Sequence, residues 1–178
     1  IRTYEQAHPW LTFQANLARI SHKFWMNLGA IQSKCEHVAN VMLPPAVAVD
    51  RVYLTAFEAG KLETLALDRR TGRILWRMPV PAASIESCHE FASPASPSPL
   101  ADAERVVVYF GSFGLLCYDR DGRALWSRAL PTPKNTYGTS ASPIRVGNTA
   151  VVVLDSNDKA SRLLAVNLSD GSIAWETP

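Results

Sequence analysis

The sequence predicts an all-β chain built from repeated four-stranded antiparallel units, and three observations predict it. Trp25, Trp76, Trp126 and Trp175 follow one another at intervals of 51, 50 and 49 residues. Gly72, Gly122 and Gly171 each stand four residues before their tryptophan. Pro45, Pro99 and Pro143 each stand seven residues before Val52, Val106 and Ala150, so the register holds at both ends of the unit. Four-stranded repeats of this length mark a β-propeller, in which radial packing leaves only short, protected edges. A β-sandwich is the alternative all-β architecture, but its strands would not repeat motifs in register. Closed propellers have roughly 4 to 8 blades. The expectation is therefore an incomplete arc of about three to four blades of a larger ring.

Taken in order, residues 1–44 form an N-terminal segment that ends a first blade at Trp25 and continues as a linker. Three blades follow at 45–78, 99–128 and 143–178, joined by inter-blade loops. Each unit begins with a short inner strand, Ala46–Val49 or Ile144–Val146. A second strand follows at Val52–Ala56, Val106–Phe110 or Ala150–Leu154, and a third at Leu62–Leu67, Leu115–Tyr118 or Leu163–Val166. These runs are rich in Val, Leu, Tyr and Phe and are broken by Gly, Asn and Asp, the composition of strands and turns. The outer strand carries the tryptophan. Before it comes a corner such as Asp68 to Gly72, where Asp can bond its own backbone two residues on and Gly accepts a positive φ. Alternation along the outgoing strand puts Ile74, Trp76 and Met78 on one side and Leu75 and Arg77 on the other. In a minority alternative, residues 1–24 supply strands that close a small fourth blade with Trp25.

Composition narrows the functional classes. Of the residues, 47% are apolar and 19% charged, as in a globular chain. Eighteen basic and 16 acidic side chains are scattered, leaving no basic stripe to track a phosphate backbone, so no nucleic-acid partner is expected. No apolar run approaches the roughly 20 residues of a membrane span, and no signal peptide opens the chain. The chain begins at Ile1, as expected of a processed protein or a piece of a longer one. Cys35, Cys88 and Cys117 are odd in number and lack CxxC spacing, so they read as buried small apolar residues rather than a disulfide framework or zinc site. His8, His22 and His37 show no ligand spacing.

The stretch Ala66, Asp68, Thr71, Gly72, Trp76 resembles the tryptophan-docking repeat of pyrroloquinoline quinone (PQQ) propellers, A-x-D-x-x-T-G-x-x-x-W, at every specified position. The copy Ala165, Asn167, Asp170, Gly171, Trp175 keeps the shape with Asn for Asp and Asp for Thr. The copy at Cys117, Asp119, Gly122 and Trp126 has Cys for Ala and one residue fewer, and its corner should be tighter. Near the start, "WLTFQANLAR" resembles the opening W-x-x-F-R-G-N-x-A-R of secreted proteins with this propeller, with Gln14 and Ala15 in place of Arg-Gly. The resemblance covers residues 45–178 well. It implies that each tryptophan packs on the neighbouring motif's backbone, and it implies a periplasmic or otherwise extracytoplasmic location. An open arc would expose unpaired inter-blade faces, so the chain is expected either to continue into further blades of the same polypeptide or to self-associate.

Function is usually carried by exposed loops on a rigid frame. In an antiparallel blade, the connections between second and third strands share a rim with those between blades. Phe57 to Gly60, Ser87 to Pro94, Gly111 to Gly114, Lys134 to Gly138 and Asp155 to Lys159 fall there. Short corners such as Asp50-Arg51 and Gly147-Asn148 fall on the opposite rim. Binding candidates on the loop rim are Glu58, His89, Glu90, Lys134, Asn135, Tyr137, Asp155, Asn157 and Asp158. His89 beside Glu90 is a candidate acid/base pair, but neighbours on an extended chain point apart, which favours two solvated loop residues. "DSNDK" at 155–159 offers hard oxygen ligands, but calcium takes roughly 6 to 8 of them and a polar turn is the simpler reading. "PKNTYG" at 133–138 combines a cation, an amide and an aromatic ring, as either a ligand-facing loop or a linker does. The Ser-x-Pro clusters read as entries to inner strands, where proline has no amide to lose.

Three functions follow, none fixed by the fold alone. The favoured one is a non-catalytic propeller that binds or scaffolds in the bacterial cell envelope, with a protein partner or small ligand on the loop rim. It has no catalytic residues, no metal and no cofactor. This is what resemblance to outer-membrane assembly lipoproteins of this fold implies. The second is a PQQ-dependent quinoprotein dehydrogenase, in which resemblance implies calcium held by Glu, Asn and Asp. No such set can be matched residue by residue, and the adjacent cysteine pair of many relatives is missing. The third is a ligand-sensing domain attached to another module.

Overall fold

The computed structural model describes residues 45–177 apart from 91 and 159. The expectations that fall on Trp10, Trp25, Cys35, the three N-terminal histidines and the "WLTFQANLAR" stretch lie outside the described residues.

The described chain contains twelve strands and no helix. They are β1 (Ala46–Ala48), β2 (Arg51–Glu58), β3 (Lys61–Asp68), β4 (Ile74–Pro79), β5 (Leu100–Ala101), β6 (Arg105–Phe110), β7 (Gly114–Asp119), β8 (Ala124–Ala129), β9 (Ile144–Val146), β10 (Thr149–Leu154), β11 (Arg162–Asn167) and β12 (Ile173–Thr177). They form three four-stranded antiparallel meanders, β1-β2-β3-β4, β5-β6-β7-β8 and β9-β10-β11-β12. The described residues thus form three blades of an incomplete propeller. The inner strand of the middle blade, β5, has only two residues and was not assigned from the sequence.

Alternation makes the middle sheet a core with two sides. Val106, Val108, Phe110, Leu116 and Tyr118 face the first sheet and pack with Tyr53, Leu62, Ala66 and Trp76. Val107, Tyr109, Leu115 and Cys117 face the third and pack with Ala150, Val152, Leu154, Leu164 and Val166. Each fully buried Val or Leu contributes roughly 1.5–3 kcal/mol. These strands therefore read as continuous apolar runs, unlike one-sided strands that alternate with polar residues.

The corners explain the repeated Asp and Gly. Asp68 Oδ1 accepts from Thr71 N (2.7 Å), Thr71 Oγ1 (2.7 Å) and Arg70 N (3.1 Å), while Gly72 N donates to Asp68 O (2.8 Å). The third corner closes the same five-residue span, with Gly171 N on Asn167 O at 2.8 Å. The middle one closes a residue sooner, with Gly122 N on Asp119 O at 3.1 Å.

Each outer strand then joins its neighbour through a bulge at the same place. The register slips between Ala66 and Leu67, between Cys117 and Tyr118, and between Ala165 and Val166, leaving Ala66, Cys117 and Ala165 opposite Trp76, Trp126 and Trp175. The bulge corrects one expectation. Simple alternation puts Ile74 on the Trp76 side, but Ile74 pairs with Leu67 and Trp76 with Ala66, so the extra residue Leu75 turns Ile74 to the other face.

Adjacent blades meet through the tryptophans. Trp76 Nε1 donates to Arg120 O (2.9 Å) and Trp126 Nε1 to Leu168 O (3.0 Å), each on the corner of the following blade. Gly122 lies against the Trp76 indole and Gly171 against that of Trp126. Arg120–Asp50 (2.7 Å) and Arg51–Asp121 (2.8 Å) join the first two blades at the corner rim, and Arg145–Asp102 (2.8 Å) joins the next two. Trp175, with no following blade among the described residues, is 44% exposed.

Candidate functional site

The loops between blades, 80–99 and 130–143, share a rim with the hairpin turns of β2–β3 and β6–β7 and with the loop 155–161. Leu130 N donates to Phe113 O (2.8 Å), Val80 N to Leu62 O (2.9 Å) and Asn157 N to Lys134 O (2.7 Å). Thr55 Oγ1 lies within hydrogen-bond reach of the carbonyls of Ala95 (2.8 Å) and Pro97 (2.9 Å), and Ser98 N donates to Ser142 Oγ (2.9 Å). The rim is a laced surface rather than a set of separate loops.

Most of the sequence-predicted candidates converge there in two groups. In the first, the His89 and Tyr137 rings lie 5.8 Å apart and His89 N meets Tyr137 O at 3.5 Å. Gly138, at positive φ, sits close against Cys88. In the second, Lys134 Nζ pairs with Asp158 (3.4 Å) and Asn135 Nδ2 donates to Asp155 Oδ2 (3.2 Å). Asn157 Nδ2 donates to Thr136 Oγ1 (2.7 Å), and Asn135 Oδ1 accepts from Tyr137 N (3.0 Å), which joins the two groups. The Ser156 hydroxyl holds Asp158 below the usual carboxylate range. Glu58 stands apart on the β2–β3 hairpin, beside Arg77 at 3.4 Å. Glu90 is exposed. Asn135, Thr139, Ser140, Ala141, Val153 and Asp155 line a cleft of about 220 Å³.

Sequence reasoning missed Glu86. It lies one residue before the loop assigned to the rim, among Ser and Ile, with nothing in its neighbourhood to distinguish it from a solvated glutamate. It is 8% exposed. Its Oε2 accepts from Thr139 N (3.1 Å) and Thr139 Oγ1 (2.7 Å), and its N–H donates to Ser112 Oγ (3.0 Å). Burial pushes its carboxyl above the usual range against the opposing pull of the Thr139 donors. Burial, with Glu86 nearby, pushes the Tyr109 phenol up to about 12.

A family model described as "Outer membrane protein assembly factor BamB" matches residues 23–178. The chain belongs to this family of PQQ-like propellers. Among curated proteins none matches. The fold of this family member is similar to that of quinohemoprotein alcohol dehydrogenase from Comamonas testosteroni (TM-score 0.60, 17% identity, 80% of this chain and 22% of that one). It is similar also to quinohemoprotein alcohol dehydrogenase ADHIIG from Pseudomonas putida HK5 (TM-score 0.59, 19% identity, 78% and 20%). A europium-containing methanol dehydrogenase aligns with a TM-score of 0.54 at 14% identity (75% and 24%). The chain thus spans 20–24% of these proteins' length, and the likeness is one of fold.

The quinoprotein alternative raises the question of quinone and calcium. Among the described residues no three His, Cys, Asp or Glu side chains come together, Glu86 is bound to Thr139, and Asp155 is bound to Asn135 and Ser161. Among the described residues, too, no helix is long and apolar enough to cross a membrane.

Proposed function

We propose that this chain forms part of a non-catalytic propeller that binds or scaffolds a protein partner in the bacterial cell envelope, using the loop rim. The observation that carries this reading is Tyr137, 70% exposed at the tip of a loop laced to its neighbours. Aromatic anchors of this kind dominate protein interfaces. A loop already held in shape by hydrogen bonds loses little further entropy on binding. Lys134, Asp155 and Asp158 belong to the same laced loop group and offer charges of both signs, as the polar rim of such a patch does. The family's description as an outer-membrane assembly factor supports the location and the class of partner.

The test is site-specific photocrosslinking of the full chain in a bacterial envelope, with the reactive group placed at Tyr137 or, on the opposite rim, at Asn148. Crosslinks to an outer-membrane protein or a component of its assembly machinery from Tyr137 alone are expected. Tyr137→Ala should weaken that association roughly tenfold or more. Equal crosslinking from both rims would overturn the reading. So would alcohol-dependent dye reduction on adding PQQ and calcium, which would favour the quinoprotein alternative that the structural neighbours suggest.

A further inference from the structure

One buried carboxyl connects two inter-blade loops. Glu86 belongs to loop 80–99 and Thr139 to loop 130–143, and both hydrogen bonds to Glu86 Oε2 come from Thr139. Oε1 is enclosed and has no hydrogen-bond partner. The space is cleared for it by Gly111, where a Cβ would fall 2.6 Å from either carboxyl oxygen.

The groups that face Glu86 are all neutral or acidic. Its own loop contributes Cys88, whose thiol is pushed up by burial and then by Glu86. The β6–β7 turn contributes Ser112 and β6 contributes Tyr109. Arg162 of β11 acts on Tyr109 and pairs with Glu176 at 2.7 Å, and no cation contributes to the shift of Glu86. A charge on Glu86 would sit on two oxygens of which one has no donor, away from water and without a counter-charge, the costliest way to hold a carboxylate.

We propose that Glu86 is a proton-operated latch on the rim. Carrying its proton, it sits enclosed where loops 80–99 and 130–143 meet around Gly111; on losing it, the carboxylate draws more strongly on the Thr139 donors, but the enclosed charge with its undonated Oε1 favours an opened, hydrated loop, which frees Tyr137 two residues from Thr139. The consequence for partner binding rests on the reading above that this rim is the binding surface. The direction follows from linkage. In the opened loop Glu86 meets water and ionises in the ordinary glutamate range, whereas in the closed loop it ionises higher. The closed form is therefore fully favoured below the ordinary value and loses that advantage as pH rises through the raised one. Between the two, the opening equilibrium should increase roughly tenfold per pH unit.

Amide hydrogen exchange of the full chain, corrected for intrinsic exchange and followed from about pH 5 to about pH 8, reads this directly. Peptides from 130–143 should lose protection with rising pH while those from β6 and β7 do not, and Glu86→Gln, which keeps the shape and cannot ionise, should flatten the response. Persistence of the pH response in Glu86→Gln, or its absence in the wild type, would overturn the latch. Should that variant not fold, titration of the wild-type Glu86 carboxyl carbon by NMR decides: a midpoint in the ordinary glutamate range rejects the proposal and a higher one supports it. None of these measurements needs a partner, so failed crosslinking at Tyr137 with an intact exchange response would reject the binding surface and leave the latch standing.

Discussion

The Trp126 indole lies against the backbone of Gly171, so close that a Cβ there would come within 2.5 Å of the ring. Its Nε1 donates to Leu168 O, three residues upstream, so one side chain grips the next blade's corner at two points. The contact joins a glycine required for its positive φ to a tryptophan that uses its missing side chain.

Gly171→Ala should therefore carry two costs, about 1–2 kcal/mol for left-handed backbone and about 1–3 kcal/mol for overpacking. Gly147 has a φ of 58° and nothing within 4 Å, so Gly147→Ala carries only the first. Urea midpoints of the two variants should differ by the packing cost. Equal losses would mean that the indole moves aside freely.

Trp76 is 9% exposed, its ring 5.9 Å from both Tyr53 and Tyr118. Trp76→Ala should destabilise by about 3–5 kcal/mol. Trp76→Phe keeps only part of the ring packing and orphans Arg120 O, the latter at about 1–3 kcal/mol. Trp175→Phe should shift stability by less than about 0.5 kcal/mol in the 178-residue chain, because that ring stands open to water. Chemical denaturation of the three variants orders them.

Asp68 is held below its ordinary 3.8 first by the Thr71 hydroxyl and then by the Thr71 amide. A depressed carboxyl contributes stability above its unfolded value and loses it as pH falls through the folded one. Asp68→Asn, already the residue type at position 167 in the third corner, should weaken the dependence of stability on pH in the acid range below 3.8. Identical acid profiles for wild type and variant would show that the corner does not hold in solution.

Cys117 is fully buried and its thiol is pushed up to about 12 by burial, whereas Cys88 is only partly buried. In a Cys35→Ser background, alkylation at mildly basic pH should label Cys88 well before Cys117, which should react only on unfolding. Mass spectrometry of the labelled peptides distinguishes the two, and equal rates would contradict the packing between the second and third blades.

The blades were readable because their signals repeat. Trp and Gly at a fixed offset, with Asp or Asn seven or eight residues before the Trp, testify three times, and the strands found lie within one or two residues of those expected, as Ile144–Val146 and Thr149–Leu154 illustrate. Two things escaped. β5 is too short for alternation to register, and the bulge at Leu75 breaks the period-two rule that placed Ile74. On the rim, the exposed residues announce themselves by polarity among turn formers. Glu86 does not, because its character comes from Thr139, 53 positions away, and from the empty place at Gly111. Long-range enclosure leaves no local mark.

The two-sided middle sheet also bears on how the polypeptide is made. Ribosomes deliver β6 and β7 before β10 and β11, so Val107, Tyr109 and Leu115 must wait in water until the following blade emerges to cover them. Every newly completed blade inherits this greasy flank for the time needed to synthesise some fifty more residues, several seconds at about 5–20 residues per second. A holding chaperone is most needed during that interval.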